Sequence, residues 1–199
     1  MPGAKEKGKI KSGLGNLIGS AGEHYVMAEL LKRGVIAALA PRNAPGFDIL
    51  ATNSSLGART GKTVKIRVKT KSGKYDTWQW LAKDDNQDGT KKTIFPYLDL
   101  SPSKADSAQC DDFTVLVDMT DDHREMSFYI VPTWLLNKWL VEIFKKWVST
   151  PGAKGQQRDV SNRKRTIGLK DYCNELAKYR DNWDCLWDAT AQPQGLDNG

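Results

Sequence analysis

The stretch "KTVKIRVKTKSGK", residues 62–74, decides how this chain folds. A period of two puts Val64, Ile66, Val68 and Thr70 on one side of a strand and Lys65, Arg67, Lys69 and Lys71 on the other. The first side needs a core to cover it. The second carries four like charges in a row, which repel one another unless something rewards the arrangement. Three rewards are in view: a solvated sheet edge, a surface for nucleic-acid phosphates, or the remains of a catalytic centre.

Working outward, "GSAGEHYVMAELLKRG" predicts a helix from about Ser20 as N-cap to Arg33, with Gly34 as its stop. "VIAALA" and "FDILAT" follow as two short strands separated by a turn at "PRNAPG", and "TWQWLA" continues the charged strand or pairs with it. Residues 83–110 read as a long polar loop or helical insertion, and "FTVLVDM" and "SFYIVP" as two further strands. "TWLLNKWLVEIFKKW" predicts a helix with Leu136, Trp139, Leu140, Ile143 and Trp147 along its apolar stripe. "IGLKDYCNELAKYR" predicts a last helix turning Leu169, Tyr172, Cys173, Leu176 and Tyr179 inward, with Trp183 and Trp187 closing over the core. The expected order is α-β-β-β, an insertion, then β-β-α-α: a mixed α/β (α+β) fold with helices packed on a central sheet. The expected organisation is a disordered basic arm over 1–15, one domain over 16–188 and a flexible tail over 189–199.

At 199 residues, 39% hydrophobic and 27% charged, the composition is that of a soluble globular domain. No apolar run approaches the roughly 20 residues of a membrane span. The opening "MPGAKEKGKIKS" has no apolar core and is not a secretory signal. Cys110, Cys173 and Cys185 are scattered, form no CxxC pair and make no zinc site with His24 and His123; the expectation is a reducing cytoplasm. GxGxxG, Walker and GxSxG motifs are all missing, which removes support for nucleotide-dependent and serine-nucleophile chemistry. The net charge of +6 is unevenly spread: seven basic residues and no acid lie between Arg59 and Lys74, and "AKGQQRDVSNRKR" adds a second basic cluster. Separated basic and acidic regions point to a polyanionic partner.

Three residues stand out against their surroundings. Glu23 shares a helical face with Val26, Met27 and Leu30, where a carboxylate is costly unless paired, hydrogen-bonded or metal-bound. Asp48 interrupts "GFDILA" between Phe47 and Ile49, a poor place for aspartate in a strand. Lys69 belongs to the charged strand itself. An acid from a helix, an acid from a strand and a lysine from the next strand can converge.

With "GExxxxxxLLxRG", "GFDI" and "xVKT" in that order, residues 19–80 resemble the PD-(D/E)XK nuclease superfamily, in particular its small bacterial and Holliday-junction-resolvase-like members. The resemblance implies a restriction-endonuclease-like sheet of about five strands flanked by helices. It also implies that Glu23 and Asp48 hold Mg²⁺, or Mn²⁺, and that Lys69 positions the attacking water, the three together forming the catalytic set. The partner it implies is DNA, and because family members often dimerise, a homodimer as well. Arg67 stands where the family carries a second strand acid. A guanidinium about 5 Å from a dication at an effective dielectric near 20 is repelled by roughly 6–7 kcal/mol. Arg67 is therefore expected to weaken metal binding and to face phosphate instead, with Lys65, Lys71, Lys74, Arg163, Lys164 and Arg165 as further nucleic-acid contacts. Two readings follow: a metal-dependent endonuclease with a degenerate centre, or a nuclease-fold module that binds nucleic acid or a protein without cutting.

Overall fold

The computed structural model describes residues 14–41, 46–53, 61–72, 77–81, 83–85, 92–94, 111–119, 126–159, 162, 164–170 and 172–187. Helix α1 (Leu14–Lys32) is followed by β1 (Ile36–Leu39), β2 (Ile49–Thr52), β3 (Thr63–Ser72), β4 (Thr77–Leu81), β5 (Lys83–Asp85) and β6 (Lys92–Ile94). Then come β7 (Asp112–Met119), β8 (Ser127–Pro132), α2 (Thr133–Ser149), β9 (Lys164–Gly168), the short α3 (Cys173–Ala177) and a 3-10 turn (Trp183–Leu186).

Five strands form the main sheet in the order β1-β2-β3-β7-β8. β3 and β7 are parallel, and the other pairs are antiparallel. The mixed α/β architecture with a five-stranded sheet flanked by helices is the expected one. On one face of the sheet, Val64, Ile66 and Val68 of β3 join Val26 and Leu30 of α1, Phe113, Val115 and Val117 of β7, and Trp183. On the other face, Leu116 and Tyr129 pack with Trp78 of β4, Ile167 of β9 and Leu135, Leu136 and Trp139 of α2. β7 and β8 thus bury alternate residues in opposite layers, whereas β2 and β3 contribute apolar residues to the first alone.

Several elements differ from expectation. α1 begins at Leu14, so Ser20 lies inside it rather than capping it, and the last two residues of the expected basic arm are helical. Gly34 does end the helix: its φ of +74° is open to glycine, and Val35 donates back to Leu30 O at 3.1 Å. Within the expected 83–110 insertion, β5 and β6 pair as an antiparallel ribbon. The expected last helix is mostly absent. Residues 164–168 instead form β9 and pair antiparallel with β4, Trp78 facing Ile167, and only Cys173–Ala177 is helical. The helical stripe of α2 buries Leu136, Trp139 and Leu140, whereas Ile143 is only partly covered. The arm up to residue 13, the tail from 188, Lys74, Cys110, His123 and Arg163 lie outside the described residues.

One contact fixes α1 on the sheet. A Cβ on Gly22 would stand 1.9 Å from Thr70 Oγ1, so only glycine lets the helix approach β3 this closely.

Candidate functional site

The four cations of β3 answer differently to their surroundings, and β7 is the reason. The parallel register sets Lys65 opposite Asp112 and Lys71 opposite Asp118. Lys65 Nζ lies 3.7 Å from Asp111 Oδ2, an exposed pair. Arg67 Nη2 lies 3.5 Å from Asp112 Oδ2, with the arginine side chain only 11% exposed. Lys71 Nζ lies 2.7 Å from Asp118 Oδ2 and 4.6 Å from the centre of the Trp78 ring, in the interior. Opposite Lys69, β7 offers Leu116. Among the described residues, Lys69 is the β3 cation with no ion pair to Asp111, Asp112 or Asp118.

This placement corrects part of the sequence reading. Lys71 was expected on a nucleic-acid surface and is buried on an aspartate. Arg67 is turned inward toward Asp112, and Gly46, at φ +94°, makes room for it: a Cβ there would stand 3.0 Å from Arg67 Nη2. Arg165 is also interior, 2% exposed, with its guanidinium 3.3 Å from the centre of the Phe144 ring and donating to the Asn162 and Lys164 carbonyls. Burial lowers its proton affinity. Lys65 and Lys164 remain exposed.

Glu23, Asp48 and Lys69 come from α1, the entry to β2, and β3. The Glu23 carboxyl titrates above its ordinary value, first because it is partly desolvated and then because the Asp48 charge repels its ionised form. His24 and Lys69 act in the opposite direction. The three groups therefore share one electrostatic neighbourhood. Asp48 is fixed by the strand beside it: its amide donates to Ile66 O at 2.9 Å, and its Oδ2 accepts the Val68 amide at 2.7 Å. That carboxylate consequently has one oxygen anchored to the β3 backbone.

The donor set suits a hard cation held loosely. Two oxygen-bearing acids, one of them destabilised by the other's charge, are what a hydrated Mg²⁺ needs, because it keeps several waters and uses few carboxylates. Among the described residues no group of three or more His, Cys, Asp or Glu side chains is placed to hold a metal.

Sequence reasoning missed the acids of β7, although their spacing was visible: Asp112 and Asp118 are six apart, as are Lys65 and Lys71. It also missed two adjoining clefts. One, of about 390 Å³, lies between the first turns of α1, the end of β3, and β4, and its lining includes Ile18, Thr70, Gln79 and Lys164. The other, of about 350 Å³, lies between α2 and β9, and its lining includes Phe144, Trp147, Lys164 and Thr166.

No protein-family model matches the chain, and no curated protein matches it. Among solved structures, the chain is similar to the bacterial homing endonuclease I-Ssp6803I, at 16% identity and a TM-score of 0.40, over 89% of this chain and 94% of that one. Among the described residues no helix is long and apolar enough to cross a membrane.

Proposed function

We propose that the chain is a DNA-binding protein of the PD-(D/E)XK nuclease fold, with weak Mg²⁺-dependent phosphodiester hydrolysis at Glu23, Asp48 and Lys69. What supports the reading is electrostatic: the charges of Asp48 and Lys69 both act on the Glu23 carboxyl, and β7 sets Leu116 rather than an acid opposite Lys69. Glu23 and the second oxygen of Asp48 would hold the ion. When bound, it would supply Lewis-acid stabilisation of the phosphoryl and leaving oxygens and a more acidic water. Lys69 would donate to a non-bridging phosphate oxygen and hold the water in line with the bond to be broken. The fixed Asp48 keeps this geometry without reorganisation, since its carboxylate is already anchored to the β3 backbone.

The reading is tested by calorimetric titration of Mg²⁺ and Mn²⁺ into the wild-type chain and Asp48→Ala, followed by cleavage assays on branched, nicked and duplex DNA. Binding heat and cleavage that both disappear in Asp48→Ala are the expected result. Absence of specific heat up to millimolar metal supports the second reading, a binding module without hydrolysis. The inward Arg67–Asp112 pair favours that alternative, because it puts a cation where a ligand would be needed. Arg67→Glu alone would face Asp112 with a like charge, so the informative variant is Arg67→Glu with Asp112→Asn. It is expected to bind Mg²⁺ at least about tenfold more tightly than wild type.

A further inference from the structure

We infer that the two clefts form one trough for an unpaired nucleic-acid strand, with a phosphate at Lys164 and a base against Phe144 and Trp147. This rests on the proposed nucleic-acid binding but not on metal chemistry.

The clefts share Thr77 and Lys164 in their linings, so they meet at the β4–β9 pair. Neither lining includes an aspartate or glutamate among the described residues. In the second cleft the aromatic wall is already ordered as a column. Phe144 and Trp147 stack with centroids 5.8 Å apart and planes 22° from parallel. The Arg165 guanidinium sits 3.3 Å from the Phe144 centroid, and that of Arg158 5.1 Å from Trp147. Cations close both ends of the column, which gives it a positive field and ring edges toward the cleft.

A duplex keeps its base faces stacked and cannot lay them on these ring edges, whereas an unpaired strand can in the edge-to-face manner of aromatic pairs. Volumes of about 350 and 390 Å³ suit one nucleotide unit each rather than a double helix. Thr70 ties the trough to the candidate centre: it lines the first cleft, and its side chain lies under Gly22, next to Glu23. Its Oγ1 is itself buried against α1, so the trough ends at the Gly22–Thr70 contact.

The test measures anisotropy of fluorescein-labelled oligo(dT), about a dozen nucleotides long, with the full chain in EDTA, against a duplex of equal length. The wild type is expected to prefer oligo(dT). Trp147→Ala and Lys164→Glu should each weaken that binding roughly tenfold, and Trp147→Phe should largely retain it. Asp48→Asn should bind oligo(dT) as wild type does, which separates this trough from the metal reading. Circular dichroism of each variant confirms that it is folded. The inference is overturned if folded Trp147→Ala or Lys164→Glu binds oligo(dT) like wild type, or if duplex binds as tightly with the same dependence on both residues.

Discussion

Glu23 carries a thermodynamic signature of its position. Its proton affinity is raised in the folded chain by burial and by Asp48. The native state therefore binds more protons than the unfolded state just above the ordinary value of 4.5. Stability attached to this group is complete below that pH and is lost as pH rises through the raised value. At neutral pH, Glu23→Gln should raise Tm slightly and flatten the pH dependence of stability above 4.5, while removing any Mg²⁺ binding. Thermal melts across pH check this; a variant that melts earlier than wild type at neutral pH would mean that Glu23 is held by a favourable contact instead. The residue was legible in the sequence because a carboxylate on an apolar helical face is anomalous in any fold. Asp48 stood out for another reason, as an aspartate between Phe47 and Ile49 in a strand-like run. The fate of Arg67 was not, because it depends on Asp112, 45 positions away in the chain.

At the level of elements, the β3–β7 pair is the joint of the molecule. The Lys71–Asp118 contact at its C-terminal end has side chains only 4% and 11% exposed, and the Trp78 ring covers the ammonium. Removing one partner strands the other charge in the interior. Asp118→Ala should therefore cost about 3–5 kcal/mol, whereas Lys71→Met with Asp118→Leu should cost much less. Urea denaturation of the two variants decides it, and equal losses would show that the pair is dispensable and only packing matters there. β3 was legible from alternation of two, β1, β2, β7 and β8 as short apolar runs, and α2 from its stripe. β9 was not. "RKRTIG" is short and basic and is followed by residues with helical spacing, so the 3.6 period downstream masked a strand whose partner, β4, lies more than 80 positions earlier.

Taken as a whole, the molecule presents a less basic β3 than its four cations suggest, because Asp111, Asp112 and Asp118 pair with three of them. Binding of a single strand should then be modestly salt-dependent. With Lys69, Arg158 and Lys164 as the contacts, log K against log salt should have a slope of about −2, from about −0.7 per phosphate. A slope near −5, as all seven basic residues between Arg59 and Lys74 would give at that same increment, would mean that the β3 cations leave their aspartates for phosphate.

The parallel pairing of β3 with β7 also governs the order in which the chain can assemble. α1, β1, β2 and β3 are neighbours in sequence, so the strands bearing Asp48 and Lys69 can meet the helix bearing Glu23 by closing short loops. The acids that neutralise β3 arrive only after a crossover that brings Lys65 beside Asp112, a separation of 112 − 65 = 47 positions. Closing a loop of that length is entropically dearer and slower than forming the antiparallel hairpins before it. A nascent or partly folded chain thus carries an unshielded row of cations that the finished protein has quenched, and its attraction to polyanions is greatest before folding is complete.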